Sequence, residues 1–268
     1  MLLRAKLSVV LSPVLIVLTL MLGACATTED KTAGMEPAKI YADAKDEMSS
    51  GSYDKAIVLL EKLEGRAAGT PLAQQAQVDK AYAQHKSGEG VAAIATLDRF
   101  IKQHPASPAM DYALYLKGIV NFNDNLGLFG SIIKQDLSER DQKAAKDSFE
   151  AFKELVTRFP DSRYTPDARQ RILYITNSLA KYEVHVARYY FNRGAYVAAI
   201  NRAQAALTDY RDVPAQEEAL YILMRSQDAM GMTLLRDDAK RVLERTYPNS
   251  TYLTQGLKPQ QAPWWKLW

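Results

Sequence analysis

The sequence has few of the residues that enzymes use for chemistry. It contains one cysteine and three histidines in 268 residues, so it can form no internal disulfide bond, and His85, His104 and His185 lack metal-ligand spacing. No His-Glu-x-x-His, Gly-x-Ser-x-Gly or phosphate-loop motif is present. With only 13 glycines and 11 prolines, the composition argues against disorder. We therefore expect an ordered, non-catalytic protein that holds no metal or cofactor.

The N-terminus has the pattern of an export signal. A short basic region precedes an apolar run over 7–22, which is too short and wrongly flanked for a stable membrane span. Leu22-Gly23-Ala24-Cys25 resembles a bacterial lipobox. That resemblance implies a signal peptide over 1–24, lipidation of Cys25 and, because Ala26 follows, sorting to the outer membrane. The alternative is an incidental cysteine near an ordinary signal-peptidase site.

The charge of the mature chain is nearly balanced. Removing residues 1–24 takes away Arg4 and Lys6 and no acidic residue, so the formal net charge falls from +3 to +1, that is 3 − 2. A net charge of +1 is not the basic footprint of a nucleic-acid-binding protein. We expect no nucleic-acid partner.

Two distant stretches, 51–56 and 194–199, share a frame of glycine, one residue, an aromatic, two residues and alanine. The glycine can adopt the positive φ that reverses the chain, the aromatic can wedge between two helices, and the alanine lets their backbones approach. At a constant offset, Ala44, Gly51, Ala56 and Pro71 are followed by Ala81, Gly88, Ala93 and Pro108. A unit that recurs in this way predicts a stack of helical hairpins.

A second marker predicts where hairpins end. A ring residue, a proline, a variable residue and a serine occur at 104–107, 159–162 and 247–250. The proline stops a helix, and the serine is placed to cap the next one. Five residues before each proline stand Phe100, Leu155 and Leu243, which we expect to be the last core contacts of a helix.

These markers predict an all-α fold, a right-handed superhelix of about five tetratricopeptide-like helical hairpins. The predicted divisions are a flexible tether over 25–36, N-terminal repeats one to three over 37–160, C-terminal repeats four and five over 161–250, and an aromatic tail over 251–268. An insertion at 123–140 is either functional or a passive ordered loop. Unbroken helical spacing predicts one long helix from Thr165 to Asn192, and the fifth unit lacks the glycine-aromatic frame.

Several segments together resemble the BamD family of outer-membrane assembly lipoproteins, also called competence lipoproteins of the ComL type. They are 111–118, 159–164, 186–190 and 193–196, and the similarity covers nearly the whole mature chain. The resemblance implies a non-catalytic subunit of the β-barrel assembly machine, lipid-anchored at the periplasmic face of the outer membrane. It further implies that C-terminal repeats dock a periplasmic domain of the barrel-forming subunit BamA. N-terminal repeats would receive the targeting strands of unfolded outer-membrane proteins, with BamC-like lipoproteins alongside.

Repeat geometry places candidate ligand contacts on the first helix of each hairpin, around the small residues Ala44, Ala81 and Gly118. The predicted peptide-binding set is Tyr41 (or Ile40), Lys45, Met48, Val78, Tyr82, His85, Tyr115, Ile119 and Phe122. Aromatic residues and a methionine beside basic groups suit an extended peptide that ends in an aromatic residue and a carboxylate. The alternative is that half of these residues are core between repeats.

For the scaffold contact, the predicted residues are Arg188, Arg193 and Arg202, because arginine is enriched in interface hot spots. The alternative is that they are solvated surface arginines. The segment 263–268 holds all three tryptophans and could cap the last hairpin, lie at the membrane interface or dock a partner.

Two other functions compete with the assembly role. A cell-wall enzyme that uses repeats as a targeting arm would need a catalytic domain, and no residues remain to form one. A repeat lipoprotein that organises peptidoglycan or division proteins is the nearer rival.

Overall fold

The computed structural model describes residues 32–122 and 142–257, and within these two ranges all regular secondary structure is helical. The signal peptide, Cys25, the insertion and the tryptophan-containing end of the tail lie outside the described residues. The helices are α1 Pro37–Ser49, α2 Tyr53–Arg66, α3 Pro71–Lys86, α4 Gly90–Gln103, α5 Met110–Asn121, α6 Gln142–Arg158, α7 Thr165–Asn192, α8 Tyr196–Asp209, α9 Ala215–Ala229, α10 Thr233–Thr246 and α11 Thr251–Gln255.

The first ten helices pair into five hairpins, here numbered I to V: α1–α2, α3–α4, α5–α6, α7–α8 and α9–α10. Each helix packs against the next one along the chain. The second helix of one hairpin therefore also packs against the first helix of the following hairpin, which is how a helical-repeat stack buries a continuous core. The predicted all-α stack of five hairpins is confirmed, and the long helix has the predicted bounds.

Four of the hairpin turns use a glycine in the left-handed region. Gly51, Gly88, Gly194 and Gly231 have φ values of 78°, 91°, 73° and 71°. After each glycine, the next N–H donates to a carbonyl five residues earlier, for example Ser52 to Glu47 and Met232 to Gln227. This is the Schellman pattern that closes a helix C-terminus. The fifth hairpin thus keeps the glycine of the frame, which we did not expect, although Thr233 replaces the aromatic.

Small residues hold the paired helices close together. Ala44 and Ala81 on first helices and Ala56 and Ala93 on second helices are fully buried. In hairpin III the approach is so close that a Cβ on Gly118 would lie 2.4 Å from the Phe152 ring. Only a glycine fits there without displacing the aromatic core residue of α6.

The proline-containing ends of hairpins II, III and V share one backbone arrangement. Phe100, Leu155 and Leu243 are fully buried, and their carbonyls accept hydrogen bonds from the N–H of the ring residue that precedes the proline. The predicted role of the serines as helix caps is wrong. Ser107 and Ser162 accept bonds from the N–H groups two residues later, before the helix begins, and the Ser250 side chain makes no cap hydrogen bond to α11. Ser107 and Ser162 therefore stabilise turns rather than helix N-termini.

Helix α7 belongs to two hydrophobic clusters. Its residues Ile175 and Leu179 pack with hairpins II and III, whereas Ala180, Val184 and Ala187 pack with hairpins IV and V. With 28 residues the helix is about 42 Å long at 1.5 Å per residue. One uninterrupted helix therefore joins the two halves of the stack.

Residues 32–36, at the end of the predicted tether, lie against hairpin I. Thr32 is buried, and its carbonyl accepts hydrogen bonds from the Met35 N–H at 3.0 Å and from the Arg66 guanidinium. The remaining tether residues, 25–31, lie outside the described residues.

The substitution Gly118→Ala is expected to destabilise the fold by about 1–3 kcal/mol, because the added methyl overpacks the contact with Phe152. The control is Gly65→Ala on α2, where a Cβ meets nothing within 4 Å and where alanine should stabilise by roughly 0.4–1 kcal/mol. Urea midpoints measured by circular dichroism test both variants. Equal midpoints for Gly118→Ala and the native chain would contradict the close approach.

Candidate functional site

Polar bridges join the first helices of successive hairpins. The bridges are Tyr41 Oη to Asp79 at 2.8 Å, Tyr115 Oη to Asp167 at 2.8 Å and Arg188 Nε to Glu218 at 2.6 Å. They connect α1 to α3, α5 to α7 and α7 to α9 in turn. Because first helices line the concave surface of such a stack, the bridges run along the predicted groove.

The first bridge centres on the buried carboxylate of Asp79. Besides Tyr41, Lys45 donates to it at 3.4 Å and Gln75 at 3.1 Å. Burial raises the pKa of Tyr41, and its hydrogen bond to Asp79 raises that pKa further. Tyr41 and Lys45, both predicted as peptide contacts, are thus held against the neighbouring helix and shape the wall of the groove.

The second bridge orders an aromatic stack. The Tyr115 ring lies 4.7 Å from the Tyr164 ring at an interplanar angle of 20°, and Tyr112 packs on the same ring at 5.3 Å. Burial tends to raise the pKa of Asp167, but hydrogen bonds from Arg171 and Tyr115 outweigh it, so the pKa of Asp167 lies below its ordinary value. Burial, followed by the bond to Asp167, raises the pKa of Tyr115.

Beside this stack lies an open cleft of about 590 Å³ between α3, the start of α5 and the turn before α7. It is lined by Gln75, Asp79, Pro108, Ala109, Asp111, Tyr112, Arg163 and Tyr164. The Asp111 carboxylate accepts hydrogen bonds from Ser162 at 2.6 Å and from the Tyr112 N–H at 2.7 Å, so protein donors already engage it. The exposed Arg163 guanidinium lies 4.7 Å from the centre of the Tyr164 ring.

Sequence reasoning missed Tyr112, Arg163 and Tyr164. All three fall inside segments 111–118 and 159–164, which we had compared with a family but not assigned to a ligand. Arg163 and Tyr164 precede α7, so a rule based on first-helix positions could not find them.

Two other predicted contacts lie on α3. The Tyr82 ring packs edge-on against Tyr53, the aromatic of the glycine frame in hairpin I, at 6.5 Å. His85 is partly buried near the end of the helix. Burial, followed by the charge of Lys86, lowers the pKa of His85, so its imidazole is neutral at pH 7.

The remaining predicted groove residues, Met48, Ile119 and Phe122, are partly buried against the core. The Phe122 ring contacts Tyr174 at 5.8 Å, and the Arg171 guanidinium lies 4.9 Å from its centre. Ile40 and Val78 are fully buried, so their prediction as ligand contacts is wrong. They are core residues because their side chains point into the packing between helices.

In the C-terminal half, Arg188 is engaged within the chain. Its guanidinium pairs with Glu218 on α9, and Tyr252 on α11 donates to the same carboxylate at 3.1 Å. Burial, followed by the charge of Glu218, raises the pKa of Tyr252 to about 12. This network ties hairpins IV and V to α11.

The other two predicted arginines are exposed. The Arg193 guanidinium lies 4.6 Å from the centre of the half-exposed Tyr189 ring. Arg202 pairs with Glu183 at 3.1 Å beside a cleft of about 420 Å³ that Tyr190 also lines. Both positions offer a cation next to an aromatic ring, an arrangement that interface hot spots often show.

Within 32–122 and 142–257, no group of histidine, cysteine, aspartate or glutamate side chains is placed to hold a metal ion. Among the described helices, none is long and apolar enough to cross a membrane. The predicted lipidation site Cys25 lies outside the described residues.

Comparison with known proteins gives consistent matches. Residues 33–243 match the sequence model of the YfiO family, described as an outer membrane lipoprotein. Outer membrane protein assembly factor BamD of Neisseria meningitidis serogroup A is 43% identical over 257 residues, which cover 94% of this chain and 96% of that protein. BamD of Vibrio cholerae is 30% identical over 230 residues, which cover 86% and 95% of the two chains.

Two solved structures align over most of the chain with low scores. A kinesin light chain of Podosopora anserina with TPR-like repeats has a TM-score of 0.35 and 16% identity, covering 80% of this chain and 99% of that one. BtubC from P. vanneervenii has a TM-score of 0.30 and 16% identity, covering 84% of each chain.

Replacing Tyr115 with phenylalanine keeps the ring but removes the hydrogen bond to Asp167, so we expect the pKa of Asp167 to rise toward its ordinary value. The lowered pKa stabilises the native fold at neutral pH, and this contribution is lost as pH falls through it. NMR titration of the Asp167 carboxyl measures the shift. Tyr41→Phe is the control, since it leaves Asp167 untouched; an unchanged Asp167 pKa in Tyr115→Phe would refute the bridge.

Proposed function

Because this chain belongs to the YfiO family of outer membrane lipoproteins, whose relatives are named outer membrane protein assembly factor BamD, we propose that it is a non-catalytic subunit of the outer-membrane β-barrel assembly complex. The family expected from the sequence is confirmed. In this proposal Cys25 carries the lipid that anchors the protein at the periplasmic face of the outer membrane. The N-terminal repeats bind targeting strands of unfolded barrel proteins, and the C-terminal repeats bind the periplasmic domain of BamA, with BamC-like lipoproteins alongside.

The observation that carries the peptide-binding role is the aromatic cleft with Arg163 at its edge. Tyr112 and Tyr164 line the cleft with aromatic side chains, against which another aromatic side chain can pack. A guanidinium has five N–H donors in a fork that matches a carboxylate, and Arg163 uses one of them on the Tyr164 hydroxyl. A peptide whose last residue is aromatic can therefore place its ring and its terminal carboxylate in the same cleft.

The rest of such a peptide would follow the groove along the first helices. Tyr82 and the Asp79 bridge lie toward hairpin I, and Tyr115 and Phe122 lie toward α7. Extended peptides gain affinity from many adjacent side-chain contacts, which suits sequence-tolerant recognition of many barrel proteins.

For the BamA contact, exposed guanidinium groups at Arg193 and Arg202 support the proposal more than Arg188 does. Arg188 already pairs with Glu218 in a half-buried position. Charged residues at the rim of an interface mainly set partner choice and association rate.

Arg163→Glu is expected to weaken binding of a synthetic barrel-strand peptide ending in phenylalanine by roughly tenfold or more, because it reverses a charge-assisted contact. The same peptide with an amidated C-terminus should bind the native chain and the variant equally. The matched control is Arg169→Glu, which changes an exposed arginine on α7 outside the cleft. Fluorescence anisotropy of a labelled peptide gives the affinities. Equal weakening by both variants would refute the proposal that the peptide binds in the Arg163 cleft.

A second peptide test addresses the groove walls. Replacing Tyr82 and Phe122 with alanine should weaken the same peptide while far-ultraviolet circular dichroism shows intact helicity, because both rings are only partly buried. Unchanged affinity would show that Tyr82 and Phe122 do not contact the peptide.

Arg202→Glu, alone or with Arg193→Glu, is expected to reduce recovery of the BamA periplasmic domain in a pull-down, since a repulsive charge replaces an attractive one. The control is Arg241→Glu on α10, whose guanidinium pairs only with its own helix in the described structure. Full recovery of the domain by Arg202→Glu would argue against a contact between Arg202 and the domain.

A further inference from the structure

The outer side of the stack has a charged groove between hairpins II and III. It encloses about 510 Å³ between α4 and α6, with α5 as its floor. Ion pairs cross or border it, including Lys117 with Asp98 at 2.6 Å and Lys143 with Asp147 at 2.6 Å. The groove is therefore polar and well solvated.

The corresponding groove between hairpins IV and V has a different lining. Aligning the buried residues Ala93 with Ala199, Ala113 with Ala219 and Leu155 with Leu243 brings the two grooves into register. In this register, Ile94, Leu114, Lys117, Asn121, Asp147 and Glu154, which line the charged groove, correspond to Ile200, Leu220, Leu223, Gln227, Leu235 and Val242. Three charged side chains are replaced by leucine or valine, whereas Glu150 and Lys153 correspond to Asp238 and Arg241, so the charge is kept at those two positions.

We name Leu220, Leu223, Gln227, Leu235 and Val242 the apolar stripe. Leu235 and Val242 on α10 are 52% and 49% exposed, and buried Ala239 lies between them on the same face. Leu220 and Leu223 on α9 are buried. The Gln227 side-chain oxygen is buried as well, and within the described residues it accepts no hydrogen bond.

Leu234 is more exposed still, at 81%, but belongs to a different pattern. It stands in the first turn of its helix, where Val91 and Val197 of hairpins II and IV are also exposed. Exposure at that position is common to several hairpins, whereas an apolar stripe is specific to hairpin V.

The apolar stripe lies apart from the end of the stack, where a further hairpin would pack. The α10 face that a sixth hairpin would cover carries Lys240 and Glu244, at the positions of the core residues Leu97 and Ile101 of hairpin II. These two residues pair with each other at 3.6 Å. Repeat stacks end in such polar faces.

We propose that the chain's own last residues, 258–268, dock on the apolar stripe with their tryptophans. This segment lies outside the described residues and contains Trp264, Trp265, Leu267 and Trp268, with every tryptophan of the sequence. Helix α11 returns the chain to hairpin V, where Tyr252 stacks on Tyr221 at 5.7 Å and Leu257 packs against the same core.

The length of segment 258–268 and the chemistry of its side chains both suit docking on the apolar stripe. Eleven residues follow Leu257, and at about 3.3 Å each they reach roughly 36 Å, about three helix diameters. The segment can therefore pass over α10. Indole rings match the exposed leucine and valine side chains.

The tryptophans themselves report on the proposal, because the rest of the chain contains none. In the full mature chain, we expect tryptophan emission to be blue-shifted from that of N-acetyltryptophanamide and protected from acrylamide. Leu235→Glu and Val242→Glu should shift the emission to the red and remove the protection. Leu234→Glu adds the same charge one residue away and should leave both unchanged.

Three results would overturn the proposal: water-like emission in the native chain, emission that Leu235→Glu and Val242→Glu do not alter, or a blue shift that appears only when phospholipid vesicles are added. The last result would assign the tail to the membrane. Should the charged variants lose helicity, a disulfide test replaces them. In a Cys25→Ser chain, Val242→Cys should cross-link with Trp265→Cys under mild oxidation, whereas Val91→Cys should not; failure of the Val242 pair would equally overturn docking.

Discussion

The close approach of two helix backbones within each hairpin is the constraint on which the structure depends. Alanines at the contacts, and Gly118 where Phe152 leaves no room for a Cβ, set that distance. Glycines with positive φ, as at Gly51, return the chain so that the contact can form. Once the hairpins have one spacing, first helices line one side of the stack and second helices the other, so each surface is built from recurring positions.

Function then resides in what occupies those positions. Toward the N-terminus, recurring first-helix positions hold tyrosines bridged to carboxylates, and an aromatic cleft opens beside Arg163. Toward the C-terminus, the first-helix bridge is formed by Arg188 with Glu218, and leucine and valine replace part of the charged lining of the outer groove. Helix α7 contributes to both cores, so the surfaces proposed for peptide and scaffold are connected through one regular element.

Local patterns in the sequence predicted the local structure well. Glycine and alanine spacing identified the hairpins, and unbroken periodicity gave the bounds of α7, because both signals depend on residues within a few turns of one another. Features that depend on contacts between residues far apart in the sequence were not predicted. The Arg163 cleft forms only where the turn before α7 meets α3 and α5. The ion pair of Arg188 is with Glu218, which lies in another hairpin. Gly231 was overlooked because the expected aromatic is absent two residues later.

The central claim is that the two halves of the stack hold two different partners at the same time. Sedimentation velocity of the mature chain, mixed with a barrel-strand peptide and the BamA periplasmic domain, tests it most directly. The account predicts one complex that contains all three components, with neither ligand weakening the other. The aromatic residues of the Arg163 cleft pack on one hydrophobic cluster, and Tyr190 of the Arg202 cleft packs on the other. Displacement of the domain by the peptide, or failure of either to bind, would contradict it.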